Sequence, residues 1–516
     1  MVRMSLVPAL LVCFSLVADA PAPTEVKHLT LRDAIRISLE NNLQVGIAQA
    51  ARDVTQSGVM INEGTFDWNI SAEAEAKKVV GVSTGLDYAA GAVPYTGHTV
   101  ADTYARGIIA DLTKSFTWGG AIDLNYSPAY SYSKSTTFPV PSLLNAGTNI
   151  PIATGNTSMP YSGSFTATYT QSLLQGFGVN TATTNLVVSR KNSAAADYTY
   201  QLAIINLAST TEGLYWNVVF ADRNLANMKI SLDLAQQQLK ENNVRLEVGT
   251  MAPLDVTQAE AQVAQAEQNI IAAEAQVANS RDALLRALYP SGPRNVTVDC
   301  SDSPDLGHIQ LDESAAEKMA LQRRLELKNA AISKEVAKLQ EALAKNKVLP
   351  QLNATAAYNG FTDSYSSLGP VNTDLTGNKY PGYTFGLQFI MPIQNRAAKG
   401  NLSVARANSR SAELTLHDTE WSIALQARTA VRNVEAGEKG VKAAAKTRYF
   451  QQATLDAERK KFENGMSTNF IVLQDMTNLD NAKSAELTAQ IAYANAVTAL
   501  EVAVGNLLEA RHFVVK

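Results

Sequence analysis

Residues 207–246 read LASTTEGLYWNVVFADRNLANMKISLDLAQQQLKENNVRL. Leu207, Thr211, Leu214, Val218, Ala221, Leu225, Met228, Leu232, Ala235, Leu239, Asn242 and Leu246 follow one another in alternating steps of four and three. That spacing keeps one seam of a helix facing a partner, the pattern of coiled-coil packing. The seam stops before Gly249 and resumes at Ala259, Val263, Ala266, Ile270, Ala273, Val277, Ser280 and Leu284. Small residues at every other position of the second run let helix axes approach closely. The segment from about 181 to 248 therefore predicts one helix on the order of 100 Å long, and helices near 30–63 and 254–289 about half that length.

The same order of parts recurs. Leu39-Glu40-Asn41-Asn42-Leu43-Gln44-Val45 corresponds to Leu321-Gln322-Arg323-Arg324-Leu325-Glu326-Leu327, each opening a helix. Leu246 through Gly249 to Gln258 corresponds, at identical spacing, to Phe462 through Gly465 to Gln474. A duplication follows: each half runs short helix, strand-rich segment, long helix, glycine turn and further helix. In the second half these helices fall near 311–349, 394–462 and 470–508. Between the halves, Pro290, Pro293 and Pro304 rule out a continuous helix and predict a loop-rich belt holding Cys300 as a half-buried packing residue.

Other stretches change from a period of 3.6 to a period of 2. From Phe66 to Ala76 one face is apolar and the other carries Asp67, Glu73 and Glu75. Tyr161–Tyr169 alternates aromatic or small residues with hydroxyls, and Tyr383, Phe385, Leu387, Phe389 and Met391 form a third such row. Each is close to the 9–11 residues that a tilted strand needs to cross a bilayer. Gly119-Gly120 suits a tight hairpin between strands at 108–116 and 121–132, whereas 77–105 and 133–160 are expected as long polar loops. With strands also near 351–361 and 381–391 there are six per chain, or four if the Gly-Gly hairpin is an excursion outside the barrel. Either number is too small to close a membrane barrel, so the chain must associate with copies of itself.

Composition excludes several classes. A net charge of −4 spread over 516 residues supplies no basic field for nucleic acid. Met1–Ala20 has the layout of a secretory signal: Arg3, an apolar run at Leu6–Val17, and the small-x-small site Ala18-Asp19-Ala20. Cys13 leaves a lipidated alternative open, although Val12 stands where a small residue is expected before a lipidated cysteine. Removal of the signal leaves Cys300 alone, so no disulfide can form within the chain. Histidines 28, 98, 308, 417 and 512 have no metal-ligand spacing. No Gly-x-x-x-x-Gly-Lys-Ser/Thr motif occurs, and no cofactor and no enzymatic activity are expected.

The sequence resembles the TolC-like outer-membrane efflux family. The resemblance runs from Leu29-Thr30-Leu31-Arg32-Asp33-Ala34 onward and rests on that opening pattern, Gln171-Ser172-Leu173-Leu174-Gln175-Gly176-Phe177-Gly178, Gly249 with Leu254-Asp255-Val256, and Pro392 with Asn395-Arg396. Ser172 and Leu325 stand where the family often has proline.

It implies a mainly α fold with membrane β: a homotrimer whose strands close one barrel in outer-membrane lipid, continued by a periplasmic coiled-coil barrel. It further implies that the helical tips meet a periplasmic membrane-fusion adaptor protein and, through it, an inner-membrane transporter. The expected segments are 1–20 signal, 21–63 periplasmic helix, 64–178 strands and loops, and 179–289 coiled-coil hairpin. There follow 290–310 equatorial loops, 311–349 helix, 350–392 β-hairpin, 393–508 coiled-coil hairpin and 509–516 tail. Tip, gate and docking candidates are Arg245, Gly249, Asp255, Phe462, Gly465 and Asp475; Asp67, Glu73 and Glu75 are candidates for the barrel lumen. A periplasmic coiled-coil adaptor or scaffold is the competing reading.

Overall fold

The structure, a computed structural model, describes residues 25–87, 95–139, 154–156, 159–292, 296–300, 302–303, 307 and 312–513. The expected signal at 1–20, with Cys13, lies outside them, as do parts of the 290–310 belt and of the 133–160 loop. In chain order the elements are β1 (Glu25–Leu29), α1 (Leu31–Asn41), α2 (Leu43–Glu63), β2 (Trp68–Asp87), β3 (Tyr95–Ser115), β4 (Gly120–Pro139), β5 (Thr154–Asn156) and β6 (Tyr161–Ser172). Next come α3 (Val179–Ala182), α4 (Thr184–Glu247), α5 (Pro253–Leu288), β7 (Val296–Cys300), α6 (Glu313–Arg323) and α7 (Leu325–Asn346). The chain finishes with β8 (Gln351–Phe361), α8 (Leu368–Thr376), β9 (Tyr380–Ile390), α9 (Arg396–Glu463), α10 (Asn469–Val504) and α11 (Leu507–Ala510).

The described residues form two compact units: those within 52–196 and 329–416 make one, and those within 25–51, 197–328 and 417–513 make the other. The first holds one antiparallel sheet in the order β2-β3-β4-β6-β8-β9, with β5 beside β4. Gly119-Gly120 is a tight turn inside that sheet, with Phe116 N donating to Gly120 O at 2.7 Å and Gly119 at φ +87°. The two strands that flank this turn, β3 and β4, are therefore neighbours in one ladder.

Two loop expectations are corrected. Residues 77–105 are mostly ladder, since β2 and β3 pair from Trp68↔Lys114 to Asp87↔Tyr95; β4 likewise runs to Pro139. Where both sheet faces meet water, a strand needs no apolar alternation. Val79, Val82, Thr84, Thr99 and Thr103 supply the β-branched character that a ladder favours.

Register carries the alternation across the whole sheet. One rung joins Ile70, Leu112, Leu124, Ala167, Tyr358 and Tyr383; the next joins Ser71, Asp111, Asn125, Thr166, Asn359 and Gly382. The apolar face also slants. It begins at Trp68 on β2 and at Met391 beyond the end of β9, whereas the register sets Trp68 level with Phe385. That is a slip of six residues across five strand steps, ~20 Å against ~24 Å, or a tilt of ~40°. Strands of membrane barrels lean by this amount.

The helical unit repeats its fastenings. The single helix expected near 30–63 is broken at Asn42 (ψ 130°), and its counterpart at Arg324 (ψ 125°). Asn42 Nδ2 donates to Ala287 O near the end of α5, and Arg324 Nη1 to Ala503 O near the end of α10. In α5 the expected seam is buried at Ala259, Ala266, Ala273, Val277, Ser280 and Leu284. In α4 a second buried line, Ile204, Ala208, Tyr215 and Val219, flanks the expected one, because this helix packs on two sides.

The belt between the halves contains β7, paired in parallel with β1. Val298 and Cys300 join a core with Tyr215, Trp216, Leu284 and Leu288, and Val296 is buried on the same face of the strand. Cys300 is thus buried, not half-buried, and burial pushes its thiol up to about 12, which keeps it protonated and inert.

Candidate functional site

The α4–α5 and α9–α10 turns lie in the helical unit and are built alike. Gly249 (φ +76°) ends α4: Thr250 N donates to Arg245 O at 2.9 Å and Gly249 N to Leu246 O at 2.9 Å. Gly465 (φ +74°) ends α9: Met466 N donates to Lys461 O at 2.8 Å and Gly465 N to Phe462 O at 3.1 Å. Both are Schellman caps, which satisfy the last helical carbonyls and need a left-handed residue. No atom lies within 4 Å of a Cβ placed at either glycine, so the positive φ alone selects glycine.

The turns belong to one packed cluster. Ala235, Leu455, Phe462, Val472, Leu473, Met476 and Leu479 form a core with Met251 and Val263 against it. Arg245 joins the hairpins: its guanidinium lies 4.3 Å from the Phe462 ring centroid, and Nη1 donates to Phe462 O at 3.1 Å. Phe462 is 5% exposed, so it is a core residue on which Arg245 stacks and has no free face for gating.

Beneath this contact runs a buried amide chain. Asn242 Nδ2 donates to Asn469 Oδ1 at 2.8 Å, Gln238 Nε2 to Asn242 Oδ1 at 3.0 Å, and Asn469 Nδ2 to the backbone carbonyl of Asp255 at 3.0 Å. Gln238 Oε1 is buried with no partner. A polar residue at a coiled-coil seam position fixes register at a cost in stability. Asn242 is such a residue in the predicted seam; Gln238 and Asn469 lie off it and escaped sequence reasoning.

Asp255 lies in the first turn of α5 behind Pro253, where the helix dipole favours an acid, and is half-buried. In the second hairpin Ile471 stands at the matching distance from the glycine. Asp475 is half-buried a turn further on, and its Oδ1 accepts from Asn478 at 3.4 Å. Glu458 was not anticipated: Lys461 at 2.8 Å and the hydroxyl of Ser467 hold its carboxyl below the usual range, bracing the α9–α10 turn.

The remaining candidates lie in the sheet unit. Glu73 and Glu75 are exposed on the hydrophilic face of β2. Asp67 is not on the strand: it caps a 3-10 turn at Gly64–Phe66 immediately before β2. On the hydrophilic face, Asn125 Nδ2 donates to Asp111 Oδ1 at 2.5 Å. The opposite face leaves Tyr383, Phe385, Leu387 and Phe389 exposed.

Comparison with known proteins agrees with this architecture. The chain is 27% identical over 336 residues to the outer membrane protein TolC of Escherichia coli, a match covering 63% of this chain and 66% of that protein's length. TolC of Vibrio cholerae is 25% identical over 332 residues, covering 63% of this chain and 73% of its own. Among solved structures, CusC superposes with TM-score 0.67 at 15% identity, covering 95% of both chains. The CmeC outer membrane channel of Campylobacter jejuni superposes with TM-score 0.61 at 15% identity, covering 92% of this chain and 86% of its own. The profile of the family described as outer membrane efflux protein matches residues 123–288 and 317–506, both copies of the repeat, so the chain belongs to that family.

Proposed function

We propose that this protein is the outer-membrane exit duct of a tripartite efflux or type I secretion system, passively conducting substrates from an inner-membrane pump to the exterior. The observation that carries the reading is the sheet of six long strands and the short β5, with one exposed apolar face and two long outer strands, β2 and β9, that each have a single neighbour among the described residues. In lipid such edges leave backbone groups unsatisfied, so closure must come from further copies. A homotrimer of the family type supplies about 18 strands, an even number within the observed range.

In this reading the segments before and after each strand group are the periplasmic helices, and the Gly249 and Gly465 turns form the periplasmic end that meets a membrane-fusion adaptor. Three copies of Asp255 around the axis make a carboxylate ring that favours cations and resists closure by self-repulsion. Glu73 and Glu75 line the lumen of the barrel. Energy comes from the pump, since the sequence holds no nucleotide-binding loop. A periplasmic adaptor or scaffold would have no use for the exposed Tyr383–Phe389 row.

The test is reconstitution into planar bilayers. The protein should run as a heat-modifiable trimer and conduct with cation preference, and Asp255→Asn should reduce that preference. A protein that remains monomeric in detergent and passes no current would refute the reading.

A further inference from the structure

Above the apolar band, on the same face of the sheet, lies a cavity of about 660 Å³ bordered by Tyr104, Arg106, Tyr130, Tyr132, Tyr161 and, from α8, Leu368. Its position follows from the register. The apolar run of β2 ends at Ala76, which is level with Arg106, Tyr130 and Tyr161; one step higher, Lys78 is level with Tyr104 and Tyr132. Tyr130 and Tyr161 meet edge to face at 5.0 Å, and Lys78 Nζ lies 5.1 Å from the Tyr104 ring centroid. Four rungs above Arg106, Lys134 stands opposite Asp102. Among the described residues no carboxylate forms an ion pair with Arg106. Glu75 also borders the cavity, at a register position of the opposite face.

A tyrosine belt at the edge of an apolar band marks the level of lipid headgroups. Two features go beyond a belt: the cavity is concave, and Arg106 borders it, with Lys78 beside it on the Tyr104 ring, next to surface that only acyl chains would cover. Arginine favours phosphate through its fork of donors, and tyrosine faces accept the apolar side of a sugar ring. The strand ends that connect to helices are at the other end of the sheet, at Trp68, Ser172, Gln351 and Ile390.

We infer that this cavity is a binding site for a phosphorylated glycolipid of the outer leaflet, with Arg106 and Lys78 holding phosphate, the tyrosines holding sugar, and acyl chains lying along Ala76, Ala74 and Ala72. The inference rests on the duct reading above, which assigns this end of the sheet to the outside.

The test uses the full chain purified as its oligomer and incubated with phosphatidylcholine vesicles containing diphosphoryl lipid A, fully dephosphorylated lipid A or phosphatidylglycerol. Lipid retained after detergent exchange is then read by native mass spectrometry. The wild type should retain diphosphoryl lipid A over the other two, and Lys78→Ala/Arg106→Ala should retain about tenfold less or lower, as expected for two lost charge-assisted contacts. Lys114→Ala, at the opposite edge of the band, should retain as much as wild type. Equal retention of the three lipids, full displacement by inorganic phosphate, or undiminished retention by the double variant would overturn the inference. Conductance in planar bilayers separates the two readings: current without lipid preference refutes only this site, whereas absence of current in the wild type refutes the duct and the site together.

Discussion

Replacing Leu387 and Gln388 by arginine, one at a time, tests which face of the sheet meets lipid. The two residues are neighbours on β9 and point to opposite faces, Leu387 opposite Ala354 and Gln388 opposite Asn353. Leu387 is the middle residue of the apolar run Tyr383 to Met391 and is 74% exposed, so in a barrel it sits near the bilayer midplane. Arginine there costs ~2–4 kcal/mol. The small Ala354 beside it offers no polar partner, which argues for the middle of that range, ~3 kcal/mol or about a hundredfold in the folding equilibrium of each chain. Gln388→Arg should stay within ~0.5 kcal/mol, as surface substitutions do. Folding into thin phosphatidylcholine vesicles at graded urea, followed by the heat-modifiable band, measures both. Equal penalties would mean that the sheet does not sit in lipid. A larger penalty at Gln388 would mean that the faces are reversed.

Gly249→Ala and Gly465→Ala should each destabilise by ~1–2 kcal/mol, the cost of a left-handed alanine, although space for a Cβ is free at both; calorimetric Tm shifts report it. Asn469→Ala should cost ~1–3 kcal/mol because it strands Asn242 and the Asp255 carbonyl, whereas Asn242→Leu combined with Asn469→Leu should recover part of that in denaturant titrations. Burial raises Glu501 to about 7, with Glu212 adding to the effect and Arg511 opposing it. The folded value exceeds the unfolded one, so this group's contribution is fully present below about pH 4.5 and is lost as pH rises through about 7. Glu501→Gln should therefore flatten that part of the stability profile without changing its acidic side.

The helical hairpins were legible because their seams repeat every seven residues and their ends carry glycine, so local spacing alone defines the partner face. The duplication was legible too, although the breaks at Asn42 and Arg324, which fall at the same place in its two matched heptapeptides, were not expected. The extent of β2, β3 and β4 was not legible, since a ladder in water has no apolar face to read. β1 and β7 escaped for another reason: five-residue strands amid prolines gain their stability from the Tyr215 and Leu288 core, which lies far away in sequence.

At the α4–α5 and α9–α10 turns, sequence spacing located Gly249 and Gly465, because turn chemistry is local. It could not tell that Phe462 turns inward under Arg245, or that Gln238, Asn242 and Asn469 meet across the two hairpins, separated by more than 200 residues. Periodicity, repeat and turn residues thus determined the long helices, the cores of the long strands and which face of each is apolar, since those follow from neighbours a few positions apart. Strand register, the ~40° slant of the apolar band and the pairing of the tips were decided only by the tertiary structure. They depend on contacts between distant segments, where the shared energy of burial and hydrogen bonding selects one alignment among many that local sequence permits.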